Sequence, residues 1–160
     1  GGKGAPFYFF EKGKEALLHA TVEYTTDFTG SESEYQPDLM GGFCFHDGKQ
    51  EGWIVACDTG FVSTNWQYHM GFLENPILRY PTKRKVDVTI AVKGNYIYIY
   101  YDGRFACKVT KASIVPTASE DTELAFGLFM IADKTADIRF SNISISTDAG
   151  TVERYISQHR

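Results

Sequence analysis

Apolar residues in this chain recur at every second position, in short runs broken by Gly, Asp and Asn. A period of two places successive side chains on opposite faces of an extended backbone, so this pattern selects strands with one dry face over helices. The candidate strands are residues 7–10, 16–25, 42–46, 53–58, 61–70, 86–93, 95–101, 105–111, 123–130 and 137–146. Runs of that length and spacing imply an all-β, antiparallel two-sheet β-sandwich. The sandwich is expected to occupy residues 6–147. Residues 1–5 open Gly1-Gly2-Lys3-Gly4 without an initiator Met and read as an appended, non-native segment. The one helical pattern is 151–159, where Val152, Tyr155 and Ile156 share a face, and residues 148–160 are expected as a linker or the start of a following segment.

Charge narrows the partners. Sixteen Lys+Arg against 20 Asp+Glu leave a formal charge of −4, and the longest basic block is Lys83-Arg84-Lys85. That offers no electrostatic footprint for nucleic acid. No apolar run approaches the length of a membrane-spanning helix. The three cysteines show no Cys-x-x-Cys or other zinc or redox spacing, and they read as small hydrophobes. With a loop over 47–52, Cys44 would face Val55 and lie one diagonal from Cys57, at roughly 7–8 Å between Cα atoms, outside disulfide reach.

The segment from Val86 to Val109 is the most informative. Val86, Val88, Ile90 and Val92 alternate with Asp87, Thr89, Ala91 and Lys93. A two-residue turn at Gly94-Asn95 sets Lys93 opposite Tyr96, Val92 opposite Ile97 and Ile90 opposite Ile99. For the next hairpin, a three-residue loop over 101–103 sets Ile99 against Phe105 and Ile97 against Cys107, which buries Phe105 and Val109. Its by-product is a stripe of Tyr96, Tyr98 and Tyr100 on the opposite face, bordered by Lys93, Arg104 and Lys108. Phe43, Phe45, Phe105, Phe126 and Phe140 fall on apolar faces and are expected in the core.

The run Val-Asp-Val-Thr-Ile-Ala-Val-Lys-Gly-Asn-Tyr-Ile-Tyr-Ile-Tyr-Tyr-Asp-Gly-Arg (86–104), with Ala-Phe-Gly-Leu (125–128) and Asp-Ile-Arg-Phe-Ser-Asn-Ile-Ser-Ile (137–145), resembles the second half of a concanavalin A-like lectin/glucanase (laminin G-like) jelly roll. The resemblance spans about residues 6–147 and is strongest after Pro81. It implies a jelly-roll sandwich, and such domains bind polysaccharides or glycans, serve adhesion or sensing, or hydrolyse glycosides. Structural calcium is a common accessory in the superfamily, for which Asp38, Asp58, Asp102, Asp121 and Asp148 are the available oxygen donors, although no spacing matches an EF-hand loop.

A retaining glycosidase on this scaffold needs acids alternating along a strand, in the pattern Glu-x-Asp-x-x-Glu, and no such strand exists. Glu23 and Asp27 lie four apart, while Glu32 and Glu34 sit in the polar loop 28–39. Neither a Gly-x-Ser-x-Gly elbow nor a His-Glu-x-x-His helix occurs, and His19, His46, His69 and His159 are far apart in sequence. The chain therefore reads as non-catalytic. Sugar sites combine flat rings, which take C–H faces, with a few placed polar groups. The expected ligand residues are Tyr96, Tyr98, Tyr100, Trp53, Trp66, Tyr68 and Arg104, with Trp66 and Tyr68 on one face of a single strand over 61–70. The opposing account is that Trp66 is core and that a terminal segment covers the tyrosine stripe. The function expected is carbohydrate binding within a larger extracellular or cell-surface protein. The alternative is a structural, sensory or adhesion module that recognises a protein partner or a neighbouring domain.

Overall fold

The alternating runs pair into two antiparallel sheets in the computed structural model, which describes residues 7–24, 39–56, 61–64, 68–71, 85–132 and 138–159. The strands are β1 (Phe7–Gly13), β2 (Ala16–Tyr24), β3 (Leu39–His46), β4 (Glu51–Val55), β5 (Phe61–Thr64), β6 (Tyr68–Gly71), β7 (Lys85–Lys93), β8 (Tyr96–Tyr101), β9 (Arg104–Thr110), β10 (Leu124–Ala132) and β11 (Ile138–Ser146). One sheet has the order β1-β10-β3-β4-β5-β6 and the other β11-β2-β7-β8-β9. Between them lie Leu18, Ala20 and Val22 of β2, Val88 and Ile90 of β7, and Ile97 and Ile99 of β8, facing Phe43, Phe45, Ile54 and Phe126. Phe45 and Phe126 meet edge to face at 6.0 Å. The buried Tyr24 hydroxyl donates to the Ala56 carbonyl at 2.7 Å, so this buried phenol is satisfied.

Three registers decide which side chains reach which face. The β7–β8 hairpin pairs Lys93 with Tyr96, Val92 with Ile97 and Ile90 with Ile99, as the Gly94-Asn95 turn predicts. The β3–β4 hairpin differs from expectation: Cys44 opposes Trp53, not Val55. Here the Asp47 carboxylate accepts the amides of Lys49 at 2.9 Å and Gln50 at 2.8 Å, closing a tighter turn over 47–50. A shift of two residues keeps every side chain on its predicted face.

The β8–β9 hairpin departs further. Asp102 and Gly103 both take positive φ, 51° and 78°, the signature of a two-residue type I′ turn. Tyr101 therefore opposes Arg104 and Tyr100 opposes Phe105, and a bulge then brings Cys107 opposite Ile99 and Val109 opposite Ile97. The extra residue lets Val109 and Cys107 pack on the core without dragging Phe105 with them. Phe105 is consequently not core: it is 48% exposed and stands on the outer face beside Tyr100. Phe43, Phe45 and Phe126 are buried as expected, and Phe140 packs partly buried against them.

One other expectation is corrected, and the helical pattern near the C-terminus finds its place. The run 61–70 is not one continuous strand: β5 and β6 pair antiparallel with Thr64 opposite Tyr68. The segment after Ser146 is helix α2 (Ala149–Gln158), folded back onto the five-stranded sheet, where Val152 is fully buried and packs with Ala91 and Tyr100. Asp148 caps it by accepting the Thr151 amide at 2.9 Å, which explains where the helix starts. The polar loop 28–38, with Glu32 and Glu34, and also Asp27, Cys57 and Trp66 lie outside the described residues.

A short helix α1 (Lys111–Ile114), capped by Thr110, follows β9 and has no counterpart in the sequence pattern. Lys111 is fully buried, and its ammonium donates to the carbonyls of Lys14 at 3.1 Å, Glu120 at 3.1 Å and Thr122 at 3.4 Å. Burial draws its pKa below the usual lysine value, although Glu15, Glu120 and Asp121 pull the other way. Three carbonyls from two loops are thus satisfied by one cation.

Candidate functional site

The outer face of the five-stranded sheet carries Leu17 from β2, Ala91 from β7, Tyr96, Tyr98 and Tyr100 from β8, and Phe105 and Lys108 from β9. Helix α2 lies across one part of it, because Val152, Tyr155 and Ile156 form an apolar stripe that Leu17, Ala91, Tyr98 and Tyr100 complement. Lys93 and Glu153 add an ion pair at 3.2 Å between β7 and the helix. Between helix and hairpin remains a groove of about 400 Å³, lined by Tyr98, Tyr100, Phe105, Lys108, Ile156 and His159.

The three tyrosines enter this site unequally. Tyr100 is 1% exposed: its ring meets Tyr155 edge to face at 5.0 Å, Phe105 at 5.6 Å and His159 at 6.2 Å. It forms the groove's floor and offers no open ring face, so at this end the C-terminal helix covers the tyrosine stripe. Tyr98 is half-buried in the groove wall, and Tyr96, 40% exposed, lies beyond the helix. The Lys108 ammonium sits 4.2 Å from the Tyr96 ring centroid and 5.7 Å from that of Tyr98, bridging the two rings as a cation–π contact. On the far wall His159 stacks on Tyr155, with centroids 3.8 Å apart and planes 13° from parallel. Its Nδ1 is 2.9 Å from the Tyr155 carbonyl, which can only accept, so Nδ1 carries the hydrogen.

Burial pushes the Tyr100 phenol up to about 12, with Tyr155 and Tyr98 adding in the same direction. An unfolded tyrosine ionises near 10, so the neutral phenol favours the folded state fully below about pH 10 and that contribution is lost as pH rises to about 12. The loss amounts to at most about 3 kcal/mol. Denaturant midpoints measured from pH 9 to 12 are expected to fall more steeply for the unmodified chain than for Tyr100→Phe; parallel declines would show that another group governs the alkaline limb.

Other predicted ligand residues lie elsewhere. Trp53 is 2% exposed on the six-stranded sheet, its ring 5.9 Å from Phe129, so it is a packing residue with no face left for a ligand. Tyr68 belongs to β6 at the edge of that same sheet, remote in strand order from β8. Arg104 is exposed at the β8–β9 turn and does not line the groove. Conversely, Phe105, Lys108, Ile156 and His159 line the groove and were not among the expected ligand residues, Lys108 having been placed only at the border of the stripe. The signal for Phe105 was present, since Asp-Gly between alternating runs favours the two-residue turn that sets Phe105 beside Tyr100. His159 carried no signal of its own, because its place depends on the helix folding back.

Of the candidate calcium donors, Asp148 caps α2 and Asp102 accepts the Asp87 amide at 3.0 Å, while Asp38 and Asp58 lie outside the described residues. Among the described residues no three His, Cys, Asp or Glu side chains cluster as a metal site would require. Cys44 is buried, and desolvation, then Glu51, pushes its thiol up to about 12; burial does the same to Cys107. Both therefore behave as small apolar groups. No helix among the described residues is long and apolar enough to cross a membrane.

Comparison with solved structures places the architecture. The chain is similar to the carbohydrate-binding module CBM66 from Bacillus subtilis, with a TM-score of 0.50 and 15% identity over 85% of this chain and 77% of that one. A sialidase gives a TM-score of 0.53 at 13% identity, covering 91% of this chain and 14% of that one. A functionally unknown protein from Saccharomyces cerevisiae gives 0.52 at 14% identity, covering 92% and 77%. At these identities the likeness is one of fold, an antiparallel two-sheet sandwich of the jelly-roll type. No family model and no curated protein matches the chain.

Proposed function

We propose that this chain is a non-catalytic glycan-binding module that acts within a larger extracellular or cell-surface protein and grips saccharide in the groove between the β8–β9 hairpin and α2. The observation that carries the reading is the groove's composition. Apolar rings from Tyr98 and Phe105 stand beside two polar groups, Lys108 and His159, in a space of about 400 Å³ that suits one or two sugar rings. A pyranose has an apolar C–H face for the rings and hydroxyls for the polar groups. Fold likeness to a carbohydrate-binding module supports the reading without assigning the site.

Phe105 gives the sharpest test, because it is 48% exposed and its loss leaves the sandwich core untouched. Removing a ring that a ligand would bury is expected to weaken binding by about tenfold or more. Affinity electrophoresis of Phe105→Ala in polysaccharide gels would read this directly. Retardation equal to the unmodified chain, at unchanged thermal midpoint, would remove the groove from the account.

A second reading rests on a separate observation. Tyr8, Phe9 and Phe10 on edge strand β1 are 58%, 41% and 54% exposed, a run of apolar surface that suits a protein partner or a neighbouring domain. Pull-down that depends on these three residues, with no retention on any polysaccharide, would favour it.

A further inference from the structure

The groove's electrostatics specify its ligand more narrowly, on the premise that the groove is a saccharide site. Two lysines of the five-stranded sheet flank α2 on its outer face, and they differ in one respect. Lys93 is neutralised by Glu153 at 3.2 Å. Lys108 is exposed, and among the described residues no carboxylate reaches it within ion-pairing distance; its recorded contacts are the faces of Tyr96 and Tyr98. The groove lining contains Lys108 and His159 and no acidic side chain, in a chain whose formal charge is −4. The acid of α2 nearest in kind, Glu153, is already engaged by Lys93. An unpaired ammonium held over two ring faces is ready to receive an anion that arrives with an apolar ring face beneath it. His159, whose Nδ1 hydrogen is committed to the Tyr155 carbonyl, has Nε2 left to accept a hydroxyl on the opposite wall.

We propose that the groove selects a saccharide bearing one acidic substituent, a carboxylate or a sulfate ester, whose anion meets Lys108 while the ring packs on Phe105 and Tyr98. A lone cation in an acidic protein suits a single anionic group and not a continuous polyanion. Calorimetric titration of the full chain with oligosaccharides of equal length would test this, using a neutral galacto-oligosaccharide, the same oligosaccharide ending in a single galacturonate, and the same oligosaccharide carrying a single sulfate ester. At least one acidic ligand is expected to bind about tenfold more tightly than the neutral one, the effect of one charge-assisted hydrogen bond. That margin should shrink in 0.5 M NaCl, where screening acts over only a few ångströms. Lys108→Met is expected to abolish the margin, and Lys108→Arg to retain it. Which acidic ligand wins separates carboxylate from sulfate.

Equal or tighter binding of the neutral oligosaccharide would overturn the charge selection and leave the glycan-binding function standing. An acidic margin that survives in Lys108→Met would overturn the role of this lysine. Binding of none of the three, with the chain folded, would overturn both the selection and the function it rests on.

Discussion

Val152→Asp is expected to detach α2 from the sheet and to abolish saccharide binding in the same step. Val152 is fully buried against Ala91 and Tyr100, so the substitution removes apolar contact and forces a carboxylate among apolar neighbours. The combined cost is about 3–5 kcal/mol, more than the docking of one ten-residue helix can spare. Because Ile156 and His159 ride on the same helix, the far wall of the groove leaves with it. The sandwich core between the sheets uses no α2 side chain, so the strands should remain folded. Amide exchange would show this as loss of protection confined to 149–158 with β2, β7 and β8 still protected. Uniform loss of protection would mean that the helix is integral to the core, and unchanged protection would mean that it does not dock as described.

Gly127→Val is expected to do greater damage, at the opposite sheet. Gly127 lies in β10 between β1 and β3, opposite Phe9 and Cys44. A Cβ at this position would fall 1.8 Å from the Tyr8 carbonyl oxygen and 2.8 Å from the Phe9 Cα. Those are backbone atoms, so no rotamer change relieves the overlap. The strand must leave the sheet or the sheet must open, at a cost of more than about 4 kcal/mol, a large share of a domain's stability. Thermal denaturation should show a fall of well over ten degrees or no folded protein at all. A midpoint within a few degrees of the unmodified chain would contradict the close approach of β1 to β10.

Much of this architecture was legible in the sequence, for a physical reason. Where one face is buried and the other wet, strict alternation leaves a single acceptable register, and the β7–β8 pairing through Gly94-Asn95 follows from it. The same logic misjudged β8–β9, because burying Phe105 seemed to require a three-residue loop. The chain instead uses the tight Asp102-Gly103 turn and absorbs the mismatch in a bulge, and bulges leave no mark in an alternation pattern. That one residue moved Phe105 from core to site. The face of α2 was also readable, since Val152, Tyr155 and Ile156 recur at helical spacing, but its destination was not. Docking depends on a complementary surface formed by Leu17, Ala91 and Tyr98, residues distant in sequence. The tyrosine stripe was therefore correctly located and only partly open: its covered end became the floor of a groove. Trp53 shows the converse, because an aromatic next to a loop reads alike whether it plugs a sheet or rims a site, and only packing against Phe129 distinguishes them.

The central claim is that saccharide occupies the space between Phe105 and His159. Its most direct test is an amide and side-chain NMR titration of the isotopically labelled chain with the oligosaccharides named above. Shifts concentrated at Tyr98, Phe105, Lys108, Ile156 and His159, saturating with ligand, are the predicted result. Saturable shifts centred on Tyr8, Phe9 and Phe10, or no saturable shift with any saccharide, would contradict it.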